Sequence, residues 1–141
     1  MPTSHNLDRF IKAQQGVYKT ALSEIRNGRK ASHWMWFIFP QIQGLGHSDM
    51  ARFYAIKDKE EAQGYLQHPI LGQRLIEISE VLMQLNSSNA VQIFGGIDSV
   101  KLKSSMTLFS SLPNANPIFQ KVLDKFFGGE KDGRTVEILA S

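Results

Sequence analysis

The chain has 141 residues, 42% hydrophobic and 21% charged, the composition of one folded domain with a real core and not of a disordered segment. It contains no cysteine, which excludes disulfides, thiolate catalysis and thiolate metal sites and fits a reducing cytoplasm. The net charge of +3 comes from 16 basic and 13 acidic residues mixed along the chain, without the dense basic stripe and interleaved aromatics of a nucleic-acid binder, so nucleic acid is not an expected partner.

Residues 1–6 read as a loose N-terminus and lack the basic-then-apolar order of a signal peptide. From Leu7, apolar residues recur at helical spacing through Phe10, Ile11, Val17, Tyr18, Ala21, Leu22 and Ile25, with an interruption at Gln14-Gln15-Gly16. One kinked helix or two short ones are expected there, closed by Asn27-Gly28. The densest stretch follows, Arg29-Lys30-Ala31-Ser32-His33-Trp34-Met35-Trp36-Phe37-Ile38-Phe39-Pro40. It holds both tryptophans and is entered through a basic pair. As a strand it would need a partner, and only Thr135 to Leu139 offers one. A buried helical turn or extended plug ending before Pro40 is therefore expected. Its apolar part, Trp34 to Phe39, is far shorter than the roughly 20 residues of a membrane span. No membrane association and a cytoplasmic location are expected.

Gln41 to His47 reads as a loop. Ser48 is an N-cap for a short helix reaching Tyr54 and Ile56, and Asp58 with Glu61 starts the next one in capping-box fashion, ending at His68. Pro69 then opens the clearest amphipathic helix, with Leu71, Leu75, Ile78, Leu82 and Leu85 on one face. Asn86 to Asn89 is a turn, and Ala90 to Phe94 a short apolar segment closed by Gly95-Gly96. Asp98 caps a helix carrying Leu102, Met106 and Phe109 inward. Asn116-Pro117 starts the last helix, which ends at Gly128-Gly129. The expectation is an all-α fold, a single domain over residues 1–141 with about seven short helices and a loop-rich tail at 128–141.

Common catalytic signatures are absent: no Walker loop, no dinucleotide-binding glycine fingerprint, no paired-histidine zinc helix, no serine elbow. The histidines at 5, 33, 47 and 68 have no ligand spacing, so neither a metal nor a cofactor is expected. One pattern points to a ligand. No Lys, Arg, Asp or Glu occurs from Ala31 through Ser48, or from Ser104 through Gln120. Arg29 and Lys30 precede the first window, and Lys101 and Lys103 the second. Lys101, Ser104 and Ser105 share one helical face, with Thr107 close by, and lysines and hydroxyls near a helix start suit an anion. Trp34 or Trp36 would supply a flat wall, and His33 a hydrogen bond. The competing reading is that these windows are simply core, since Val81 to Ile97 is also uncharged and has no basic entrance.

The run Gly28-Arg29-Lys30-x-Ser32-His33-Trp34-Met35-Trp36-Phe37-Ile38-Phe39-Pro40-Gln41 resembles the signature of a family of small bacterial and fungal proteins often labelled calpastatin. His68-Pro69-Ile70-Leu71-Gly72, Ile93-Phe94-Gly95 and Lys101-Leu102-Lys103-Ser104-Ser105-Met106-Thr107-Leu108-Phe109 resemble it too. The resemblance spans about Asp8 to Thr135. It implies an all-α fold of several short helices and brings no established activity. A calpain inhibitor is a long disordered chain, so the label does not suit this composition.

Three functional readings follow. The first is a binding domain for a small anionic or nucleotide-like metabolite, in a pocket between residues 29–40 and 98–109. The second is a hydrolase of a nucleotide or ADP-ribose-type compound, with His33 or Asp98 as candidate base. The third is a protein-interaction module with no pocket, marked by an exposed apolar patch. The oligomeric state is left open.

Overall fold

The computed structural model describes residues 7–141, so the expected loose start at 1–6, with His5, lies outside the described residues. The described residues form ten helices: α1 Asp8–Gln14, α2 Tyr18–Arg26, α3 Met35–Ile38, α4 Asp49–Phe53, α5 Lys59–Gln67, α6 Leu71–Gln84, α7 Ala90–Phe94, α8 Gly96–Ser110, α9 Ile118–Phe127 and α10 Gly133–Ala140. They contain no strand, only one isolated parallel bridge between Ile42 and Ile56. No helix among them is long and apolar enough to cross a membrane.

The all-α class matches the expectation, but the count is ten and not about seven. Gly16, at φ +71°, divides the first amphipathic run into α1 and α2. The aromatic run contributes the single turn α3, and Asn89 caps the single turn α7 by accepting from the Gln92 amide at 3.1 Å. The tail expected to be loop-rich forms α10. Asp132 launches it, its Oδ2 accepting from the Thr135 amide at 2.9 Å and the Thr135 hydroxyl at 2.6 Å, so a pair that reads as a turn is an N-cap. Boundaries also move, with α6 starting at Leu71 and not at Pro69, and α9 at Ile118 with Pro117 and not Asn116 at its cap. α8 begins at Gly96, which puts Asp98 in its first turn and not at its cap. α4 ends at Phe53, because Ile56 is taken by the bridge, donating to the Gln41 carbonyl and accepting from the Gln43 amide, both at 2.8 Å.

α9 packs against both α6 and α8, α2 and α5 flank α6, and α10 lies on α8. One aromatic chain runs through the core: Phe10 meets Tyr65 edge-on at 5.1 Å, Tyr65 meets Phe109 at 5.6 Å, and Phe109 meets Phe119 at 5.8 Å. A second cluster joins Trp34, Phe39 and Phe94 at 6.0 to 6.4 Å. α5 and α6 cross at Gly72, where a β-carbon would fall 2.0 Å from the Leu66 carbonyl oxygen. Lys125 closes the other end of α6, its ammonium donating to the carbonyls of Leu82 and Met83 at 3.1 Å and to that of Leu85.

The stretch between α2 and α3 has no regular secondary structure to satisfy its backbone, and Glu24 of α2 does so instead. Its Oε1 accepts from the amides of Ala31 at 2.8 Å and Ser32 at 3.0 Å and from the Trp34 indole at 2.8 Å; its Oε2 accepts from the Ser32 hydroxyl at 2.6 Å. Partial burial alone would raise the carboxyl pKa, but these donors outweigh it and lower it from 4.5 to about 2.

Two predictions test this packing. Gly72→Ala is expected to destabilise the protein by about 3 kcal/mol, because backbone and not a flexible side chain must yield; urea unfolding measures it. Glu24→Gln is expected to cost about 1–3 kcal/mol near neutral pH, since it removes the charge from four hydrogen bonds. The Glu24 pKa is lower folded than unfolded. Its contribution is therefore complete above about 4.5 and is lost as pH falls towards about 2. The gap between wild type and variant should close over that window in pH-dependent unfolding.

Candidate functional site

The two segments singled out in the sequence lie side by side. The Lys30 amide donates to the Ile93 carbonyl at 2.7 Å. Its ammonium, nearly buried, sits 2.9 Å from Asp98 Oδ2, donates to the Ser32 carbonyl at 2.6 Å and lies 5.0 Å above the Trp34 ring. On the other carboxylate oxygen, Lys101 pairs with Asp98 Oδ1 at 3.0 Å and places its ammonium 4.2 Å from the centre of the Trp36 ring. Asp98 thus bridges the two lysines. Burial would raise its pKa, and the two ammoniums hold it below the usual carboxylate range.

Beside this bridge a cleft of about 470 Å³ opens, with Trp36 and Lys101 on its wall. Loop 41–46 and the end of α4 give an apolar side with Ile42, Leu45, Ala51 and Tyr54, and the first turns of α8 give Ile97, Val100 and Ser104. Ile97 and Val100 are well exposed, at 77% and 57%. α10 closes the far side with Asp132 and Arg134. Arg134 reaches over to donate to the Gly44 carbonyl at 3.2 Å, and Gly44 presses so close to Ile138 that a β-carbon would lie 3.3 Å from its Cδ1. Gly44 also has φ +107°, a backbone conformation that favours glycine. Gln41, in the same wall, has a buried Nε2 without a hydrogen-bond partner among the described residues.

The predicted residues fall in four places. Trp36, Lys101 and Ser104 border the cleft, and Lys30 and Asp98 stand behind it as its support. Arg29 and His33 are exposed and do not line it. Trp34, Ser105 and Thr107 are core residues, at 1%, 0% and 1% exposure. Trp34 is fixed by Glu24. Thr107 donates to the Lys103 carbonyl at 2.8 Å and accepts from the Asp132 amide at 2.9 Å, which ties α10 to α8. Ser104 donates to the Val100 carbonyl at 3.2 Å, so its hydroxyl offers the cleft lone pairs and not its proton. Lys103 points away, pairing with Glu130 and lying near the Phe127 ring. The residues that sequence reasoning missed, Gln41, Tyr54 and Arg134, come from distant parts of the chain. Of these, only Gln41 lies in a stretch that the sequence marks, the loop 41–47 with its two glycines.

A larger concavity of about 780 Å³ lies between α2 and α6, lined in part by Gln14, Tyr18, Arg74 and Glu77. Four of its polar side chains contact one another. Arg74 donates to Gln14 Oε1 at 3.1 Å and stacks on Tyr18, whose hydroxyl donates to Glu77. Burial, reinforced by that carboxylate, pushes the Tyr18 hydroxyl above its usual range. No group of three or more His, Asp or Glu stands ready to hold a metal among the described residues.

An all-helical domain with a part-apolar cleft edged by cations is the class that this fold and geometry define. A family model described as protein of unknown function, DUF1810, matches residues 4–139, and the chain belongs to that family. It is similar to the conserved hypothetical protein Rv1873 from Mycobacterium tuberculosis, whose crystal structure was determined at 1.38 Å: 49% identity, coverage of 96% of each chain and a TM-score of 0.93. No curated protein matches the chain significantly.

The two tryptophans should separate in mutagenesis. Trp34→Ala is expected to cost about 3–5 kcal/mol, as a core truncation that also strips a donor from Glu24. Trp36→Ala is expected to cost about 1 kcal/mol, the scale of its cation–π contact. Denaturant unfolding of both variants tests the difference.

Proposed function

We propose that the protein binds a small anionic, nucleotide-like metabolite in the cleft between Trp36 and the start of α8. The carrying observation is the Trp36–Lys101–Asp98–Lys30 chain of contacts, which brings an aromatic ring and a cation to one cleft wall. Three further features support the reading. The cleft volume lies within the roughly 300–1,000 Å³ typical of small-molecule sites. Its sides are mainly apolar, as a ring or base requires, with Tyr54 and Leu45 facing α8 residues Ile97 and Val100. Its charged lining is two cations, Lys101 and Arg134, against one carboxylate, and Asp132 is already engaged in capping α10.

In this reading the planar part of the ligand lies along Trp36, and its anionic part meets Lys101 and Arg134. The hydrolase alternative has less support. His33 stands outside the cleft, and both Asp98 oxygens are held by lysines, which disfavours proton abstraction. Binding without turnover is the function that these groups fit best.

A thermal-shift screen with AMP, GMP, CMP and UMP tests it. At 100 times its dissociation constant a ligand adds about 2.7 kcal/mol of stability, a shift of several degrees. At least one nucleotide should produce it, and Trp36→Ala, expected to cost only about 1 kcal/mol of stability, should abolish it. A flat response of the wild type to all four would refute the reading.

A further inference from the structure

We infer that Lys101 is a specificity residue that makes the cleft select phosphorylated ligands over their unphosphorylated counterparts, because its ammonium occupies the ring face that a planar ligand needs. The inference rests on the binding reading above and deepens it.

In the structure the Lys101 ammonium lies 4.2 Å from the centre of the Trp36 ring, and both residues border the same cleft. One face of the aromatic ring at the cleft is therefore covered by the protein's own cation. A planar group that stacks there must first displace it, losing a cation–π contact of about 0.5–1 kcal/mol at a partly exposed site. An uncharged ring has nothing to give the displaced ammonium. A ligand with an anionic group does, because the ammonium can swing from the ring to the anion without leaving the cleft.

The neighbours make that swing feasible. Asp98 holds Lys101 through one oxygen and Lys30 through the other, at 3.0 and 2.9 Å. Lys30 also donates to the Ser32 carbonyl and contacts Trp34, so it stays in place. When Lys101 turns away, Asp98 keeps one charge partner and is not left as an unpaired, partly buried carboxylate, which would be far costlier. The lysine pair is thus divided in its work. Lys30 is the fixed member and Lys101 the movable one, with side-chain exposures of 9% and 19%.

Lys101→Met tests this, read by calorimetric titration with two matched pairs, AMP with adenosine and UMP with uridine. Removing the ammonium should weaken the nucleotide about tenfold or more, the scale of a lost charged hydrogen bond. It should strengthen the nucleoside about two- to fivefold, the cation–π cost expressed as affinity. This crossing of effects is the expected result. Lys101→Gln, which keeps length and polarity, should give the same crossing and serves if the methionine variant does not fold. If the nucleotide weakens while the nucleoside is unchanged or weakened too, Lys101 is a simple charge partner and the inference falls while the binding reading stands. If no member of either pair binds the wild type and GMP and CMP fail to bind as well, the binding reading itself fails, and this inference with it.

Discussion

The Glu24 carboxylate is the group on which the arrangement depends. Residues 27–34 leave α2 and turn back into the core without forming helix or strand, so their backbone donors need partners. One carboxylate supplies them for Ala31 and Ser32, and also takes the Ser32 hydroxyl and the Trp34 indole. Fixing Trp34 fixes its cluster with Phe39 and Phe94, and hence the contact between the aromatic stretch and α7. From that anchor the chain continues as α3, which presents Trp36 outward at the cleft while Met35, Phe37 and Ile38 face inward. The split between the two tryptophans follows directly. One indole has its donor satisfied inside, and the other leans on a lysine at the edge.

A second tie frames the cleft beside this anchor. The Lys30–Asp98–Lys101 bridge links the aromatic stretch to the first turn of α8, and α10 is held to α8 through Thr107 and to loop 41–46 through Arg134. The cleft is therefore framed by elements far apart in sequence, each held by polar contacts that are themselves satisfied. That contrasts with the larger concavity between α2 and α6, where Gln14, Arg74, Tyr18 and Glu77 use their polar capacity on one another. Both hollows set a cation over an aromatic ring, and the smaller one differs in its mainly apolar sides and in the unpartnered, buried Gln41 Nε2 in its wall.

Much of the fold could be read from the sequence, because α6 and α9 carry strong 3.6-residue periodicity and Ser48, Asp58 and Gly128 mark helix ends. The short elements could not. α3, α7 and α10 span four, five and eight residues, so their periodicity is weak, and α3 is stabilised by a carboxylate in another helix. α10 was hidden because Asp132-Gly133 has the composition of a turn as much as of a cap. Half of the candidate cleft's frame was readable. The basic entrances of the two charge-free windows do meet, through Lys30 and Lys101. The other half, Gln41, Tyr54 and Arg134, is assembled by tertiary contacts that leave no local pattern. Ser105 and Thr107 illustrate the opposite failure: hydroxyls on a helix suggest a ligand, but here they face the core.

The central claim is that the cleft beside Trp36, and no other hollow, receives the ligand. The chain has two tryptophans, so its nitrogen-15 NMR spectrum has two indole N–H signals. The signals are assigned with Trp36→Phe and followed during titration with the nucleotide that gives the largest thermal shift. The account predicts that the Trp36 signal moves progressively while that of Trp34, held by Glu24, stays fixed. A still Trp36 signal, with shifts concentrated instead around Tyr18 and Arg74, would contradict it.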